Sequence, residues 1–81
     1  METNFDEIEE ALMMNREIEF LYKNELYAFV YHQKGWCFVN KSKNLTPYYE
    51  TNKELLQNVR IDDQTFKNLF DLGLIEIRQI L

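Results

Sequence analysis

The chain holds two glycines, one proline, one cysteine and one histidine in 81 residues. Each scarcity removes a class of chemistry. Gly35 and Gly73 stand far apart, so no glycine-rich loop is present to cradle a phosphate with backbone N–H groups. Cys37 has no second cysteine to bridge to. With His32 it leaves no set of His and Cys ligands at metal-binding spacing. The Asp-x-Asp-x-Asp-Gly pattern of a calcium loop is missing as well. No apolar run approaches the ~20 residues that a helix needs to span a bilayer. The chain opens without a charged-then-apolar leader. Together with the unpaired cysteine, that sets the expectation of a reducing, cytoplasmic environment.

What is present is a globular composition, with six Phe, five Tyr and one Trp. A chain of this length forms one domain, residues 1–81, and buries roughly 60–65% of its unfolded surface, enough for a core without staples. The net charge of −5 is unevenly spread. Residues 1–25 carry eight acids against Arg16 and Lys23. Residues 26–60 carry five basic residues against Glu50 and Glu54. An acidic end beside a mildly basic middle suggests a polar partner surface, although a run of charge also serves solubility alone.

The pattern predicts the order α-β-β-β-α-α-β, an α+β fold in which a small antiparallel sheet carries helices on one face. The first helix starts at Phe5 and ends near Asn15. Asn4 is its N-cap and Glu7 closes a capping box. Ile8, Ala11 and Leu12 fall on its apolar stripe with Phe5. Three strands follow, Glu17–Tyr22, Glu25–Gln33 and Trp36–Asn40, joined by Lys23-Asn24 and Lys34-Gly35 as two-residue turns. That register sets Phe20 against Tyr27, Ile18 against Phe29 and Tyr31 against Phe38. One face then carries Ile18, Phe20, Tyr22, Tyr27, Phe29, Tyr31, Trp36 and Phe38, and is the candidate core. Leu21, Leu26, Ala28, Val30, His32, Cys37 and Val39 lie on the other with Glu17 and Glu19. Lys41–Asn44 is a polar loop, and Pro47 keeps the next stretch out of a central strand. Thr51 and Glu54 make a second capping box that opens a helix over Asn52–Asn58. Asp62 or Asp63 is expected to cap a last helix carrying Phe66, Leu69 and Phe70, which stops at Gly73. Leu74–Leu81 reads as a final strand, placed beside the first.

Chemistry is hard to find in this pattern. The predicted register sets His32 across from Cys37, the one pair that resembles a nucleophile and its base. A thiol inside a strand is inert packing unless a third group orients the pair. Glu9 and Glu10 are adjacent on a helix and point in different directions, so they cannot divide acid and base roles between them. The expectation is a non-enzymatic chain without metal or cofactor. Tyr27, Phe29 and Tyr31 on a central strand could stack unpaired bases, with Lys34, Lys41 and Lys43 near the phosphates. The overall negative charge works against that reading. The acids offer the other one. Glu2, Asp6, Glu7, Glu9 and Glu10, followed by Glu17 and Glu19, space negative charge as a nucleic-acid backbone does. Such a surface fits a basic groove on a protein partner. Tyr48 and Tyr49 beside Pro47 are candidate anchors, because tyrosine is enriched at binding hot spots. A strand left at a sheet edge, Trp36–Asn40 or Leu74–Leu81, could instead pair with its copy in a homodimer.

Two segments carry a resemblance. Glu17-Ile18-Glu19-Phe20-Leu21-Tyr22, and Lys53-Glu54-Leu55-Leu56-Gln57-Asn58-Val59-Arg60-Ile61-Asp62, resemble stretches of small acidic proteins from phages and mobile elements of low-GC Gram-positive bacteria. Those proteins usually carry Asn-Gly at the first turn, where this chain has Lys23-Asn24. The resemblance covers about half the chain and brings no assigned activity or site residue. It implies a bacterial or phage setting, in which small acidic proteins often act as inhibitors of host or defence proteins, anti-CRISPR proteins among them.

Overall fold

The computed structural model describes residues 3–41 and 43–81; Glu2, counted above among the acids, lies outside them. Three helices, α1 (Phe5–Met13), α2 (Asn52–Asn58) and α3 (Phe66–Asp71), pack with five strands, β1 (Ile18–Tyr22), β2 (Glu25–His32), β3 (Gly35–Asn40), β4 (Lys43–Asn44) and β5 (Glu76–Ile80). The strands form one antiparallel sheet in the order β4-β3-β2-β1-β5. The fold is α+β, and the last strand joins beside β1. The two-residue β4 falls in the stretch read as a polar loop.

Local signals set most of the boundaries. The Asn4 side chain accepts from the Glu7 N–H at 2.8 Å, and the Glu7 carboxylate accepts from the Asn4 N–H at 3.2 Å. The helix ends two residues before Asn15. There the Arg16 N–H donates to the Ala11 carbonyl and the Asn15 N–H to the Leu12 carbonyl, with Asn15 at φ +59°. That is a Schellman closure with asparagine in the left-handed position. Gly73, at φ +76°, closes α3 in the same way, with bonds from Leu74 to Leu69 and from Gly73 to Phe70. Thr51 caps α2 by accepting from the Glu54 N–H at 3.1 Å.

The first hairpin has the expected register, Ile18 against Phe29 and Phe20 against Tyr27. Lys23 and Asn24 both take positive φ, the geometry of a primed turn, without the preferred glycine. The second hairpin corrects the sequence reading. Gln33-Lys34 is the turn, and Gly35 belongs to β3 opposite His32. The register moves by two residues, setting Phe29 against Phe38 and Tyr31 against Trp36. A shift of two keeps every side chain on its expected face. The Asp62-Asp63 caps are corrected as well. Both residues take positive φ in a tight turn between Ile61 and Gln64, which exchange two backbone bonds. Thr65 caps α3, accepting from the Asn68 N–H at 3.0 Å. The Asp62 carboxylate accepts instead from the Tyr22 hydroxyl and the Lys23 amine, each at 2.9 Å.

The core lies between the helices and the predicted aromatic face. Ile8, Leu12, Leu55, Val59, Phe66 and Leu69 meet Ile18, Phe20, Phe29, Trp36 and Phe38 in one cluster. Phe66 stands edge-on to Phe20 and Phe29, with centroids 4.9 Å away in both cases. Such edge contacts add about 0.5–1.5 kcal/mol beyond simple burial.

The two edges of the sheet differ. Residues 45–49 continue from β4 as a strap along β3. Leu45 donates to the Phe38 carbonyl, and Trp36 and Tyr49 exchange two backbone bonds of 2.7 Å. The strap seals that edge, so Trp36–Asn40 is not open for pairing. Gly35 lies directly beneath it: a Cβ there would come within 2.2 Å of the Tyr49 carbonyl oxygen. β5 forms the opposite edge. Its register against β1 slips between Glu19 and Phe20, leaving Arg78 as an unpaired bulge residue.

Candidate functional site

Strand alternation divides the predicted site residues between two sides of the molecule. Ile18 and Phe20 point into the helical layer, so Glu17 and Glu19 point out from the opposite face. Asp6, Glu9 and Glu10 are exposed on α1. The eight candidates therefore do not form one continuous surface.

On the helical side, Asp6 and Glu10 stand one turn apart, with Met14 a further turn along; Glu9 and Met13 make a parallel pair. Met13 is 74% exposed and Met14 65%. The outer surface of α1 is thus a short acidic row ending in two exposed thioethers. Glu7 is committed to its capping box. Ion pairs among the described residues join Lys23 to Asp62, Lys67 to Asp71 and Arg78 to Glu76. None of them uses Asp6, Glu9, Glu10, Glu17 or Glu19. Lys67 lies closest to neutralising the row. Its amine is held above the ordinary lysine range, chiefly by the hydrogen bond to Asp71, with weaker contributions from Glu9 and Asp6.

An open groove of about 800 Å³ runs between α1 and the later helices, lined by Phe5, Glu9, Met13, Leu56, Lys53 and Lys67 among others. Its charges are mixed, and the Lys67 amine sits 5.3 Å from the centre of the Phe5 ring.

The other side is the uncovered face of the sheet. Its inner columns are Leu26, Ala28 and Val30 on β2 beside Val39 and Cys37 on β3. Leu21, Glu19 and Glu17 border it on the β1 side. Asn44, Thr46 and Tyr48 border it on the strap side. Glu17 is half-buried, and one of its carboxylate oxygens accepts from the Tyr31 N–H at 3.1 Å. Tyr48 packs on His32, with centroids 5.6 Å apart, and the Lys34 amine stands 5.8 Å from its ring centre. Tyr49 turns to the helical side, is half-buried and packs on the core.

The corrected register also separates His32 from Cys37, which lies opposite Val30. The Cys37 thiol is fully buried and donates to the Thr46 carbonyl at 3.3 Å. Nothing in this geometry couples it to the histidine. The base-stacking platform is interior: Phe29 is buried and Tyr27 half-buried, and that burial pushes the Tyr27 phenol up. Tyr31 alone of the three is substantially exposed, at 44%. Among the described residues no three His, Cys, Asp or Glu side chains gather as a metal site, and no helix is long and apolar enough to cross a membrane.

The sequence reading missed the Met13–Met14 pair as a surface feature. It also missed the clasp that Asp62 makes on the first hairpin. The methionines were legible as a pair that could not share the helix's inward stripe. No sequence signal connects Asp62 with Tyr22. No protein-family model, curated protein or solved structure matches the chain.

Proposed function

We propose that this chain is a non-enzymatic protein-interaction module, an inhibitor of phage or mobile-element type, anti-CRISPR-like in class. It presents an acidic surface to the basic, nucleic-acid-handling surface of a protein partner. One observation carries the reading: Asp6, Glu9 and Glu10 stand exposed on one side of α1 and enter no ion pair among the described residues, while Lys67, the cation that feels Glu9 and Asp6, is bonded to Asp71. Unpaired carboxylates on a rigid helix retain their field for an incoming partner. Fields of that kind raise association rates by roughly 10- to 1,000-fold and fade as salt screens them. Met13 and Met14 supply adaptable apolar contact at the end of the row. The resemblance to small acidic phage proteins supports the setting by analogy of class.

The test is recovery of partners from a bacterial lysate by the full chain and by its Asp6→Lys, Glu9→Lys, Glu10→Lys variant, followed by binding kinetics on the recovered protein. A partner that normally holds nucleic acid, with association slowed at least about tenfold by the reversal and by raised salt, is the expected result. Binding that survives the reversal unchanged rejects the acidic-helix mechanism.

A further inference from the structure

We propose that the uncovered face of the sheet is a docking surface for an amphipathic helix of a partner protein, apolar on one side and carrying lysine or arginine along one flank. The inference deepens the function proposed above by naming an element of the partner, and it takes from that reading the existence of a protein partner.

The argument begins with alternation. An antiparallel sheet covered on one side normally reads apolar inward and polar outward. β2 and β3 do not. Leu26, Ala28, Val30, Cys37 and Val39 all point away from the helices, and Leu21 joins them from β1. Strands that are apolar on both faces have the composition of strands covered on both faces. Here the helices cover only one face. On the other, Ala28 and Cys37 are buried low among their neighbours, with the Cys37 thiol against Thr46 of the strap, while Leu26 is 40% exposed and Leu21, Val30 and Val39 are half-buried.

Shape then selects the occupant. Ala28 and Cys37 are the small residues of the middle rows, while Leu21 and Leu26 rise at one end and His32 and Tyr48 at the other. From β1 to the strap there are three strand spacings, about 14 Å across. A helix with its side chains measures about 10–12 Å, so one helix fills that width.

Charge selects the flank. Glu17 and Glu19 line the β1 side, and neither takes part in an ion pair of the described fold. Beyond them Glu76 is already held by Arg78 at 3.8 Å. The strap side presents Asn44, Thr46 and Tyr48, which are uncharged, and Lys34 stands at the corner over Tyr48. A cationic stripe on the partner helix is therefore met on the β1 side. A second copy of the chain brings the same acids and the same net charge, which disfavours it as the occupant.

A displayed library of helical peptides, randomised at its outward positions and selected against the full chain, tests the proposal. Enriched sequences should combine an apolar stripe with a basic flank, and should shift the backbone amide resonances of Leu26, Ala28, Val30 and Val39. Val30→Lys, which sets a like charge beneath the helix, should weaken binding at least about tenfold. Glu17→Gln with Glu19→Gln should weaken it several-fold at low salt and leave thermal unfolding near that of the parent. This charge-only pair keeps the test decisive should the lysine variant fold poorly. Reversal of Asp6, Glu9 and Glu10 should leave peptide binding unchanged, which separates this face from the α1 row. Absence of enrichment, selection of acidic or extended sequences, shifts confined to α1, or a concentration-dependent mass showing that a second copy covers the face would each overturn it.

Discussion

The two faces of one strand lead different lives in this molecule. On β2, Tyr27, Phe29 and Tyr31 turn toward the helical layer, and Leu26, Ala28, Val30 and His32 turn away from it. Both sets are mainly apolar. In the first, Phe29 is locked against Phe20, Phe38 and Phe66, Tyr27 is half-buried against the core, and Tyr31 at the end of the strand is partly open. In the second, Leu26 and His32 meet solvent, Val30 is half-buried and the small Ala28 lies buried among its neighbours. Hydrophobicity alone therefore does not distinguish a residue that holds the fold from one that is available to something outside it. The distinction lies in what the chain folds over each face.

Substitutions on each side should separate these roles. Phe29→Ala removes a fully buried ring and should cost about 3–5 kcal/mol. For a chain of this size, with about 4–12 kcal/mol in total, that leaves a largely unfolded population in mild urea. Gly35→Ala strikes the strap rather than the core. Its Cβ meets the Tyr49 carbonyl, and its φ of +119° is unfavourable for any side chain. A loss of about 2–4 kcal/mol is expected, and amide exchange should show Trp36 and Tyr49 opening together. Thr65→Ala removes the cap of α3 and should cost about 1 kcal/mol, read from the urea midpoint. Asp63→Ala should not reproduce a loss of capping, because Asp63 is not a cap. Val30→Thr, on the open face, should change stability by less than about 0.5 kcal/mol. A loss there as large as that of Phe29→Ala would erase the contrast between the faces.

The clasp between the first hairpin and the turn before α3 gives a smaller, pH-dependent signature. Asp62 is held below the ordinary carboxylate range, first by the hydrogen bond from Lys23 and then by that from Tyr22. Lys23 is raised, first by its hydrogen bond to Asp62. The carboxylate's contribution is thus present above the unfolded pKa of about 4 and is lost as pH falls through the lower folded value. The lysine's is present below about pH 10 and is lost as pH rises through its raised folded value. Both groups are exposed, so the effect is modest. Asp62→Asn should lower the plateau near neutrality by that same modest amount, and so flatten the acid limb of the urea midpoint against pH.

What the sequence revealed was mostly local. Asn4 with Glu7, and Thr51 with Glu54, report helix starts because each pair acts within a single turn. Lys23-Asn24 reports a hairpin even without glycine, since the flanking strands fix its length. The failures share a cause. Gly35 resembles a turn residue, yet its lack of a side chain serves a carbonyl fourteen positions along the chain. Asp62 and Asp63 resemble caps, yet they adopt left-handed turn geometry, and Asp62 serves a tyrosine forty positions back. The candidate site was legible residue by residue but not as a surface. Glu17 and Glu19 adjoin the helix acids in sequence, but alternation with Ile18 and Phe20 carries them to the far side of the sheet.

The bulge at Arg78 has a bearing on behaviour at high concentration. An approaching strand that begins to zip onto β5 finds its ladder out of step partway along, with a guanidinium at the misfit. Growth of a continuous ribbon from molecule to molecule is thereby interrupted at its first junction. The protein can leave one margin unsealed and still resist stacking into fibres.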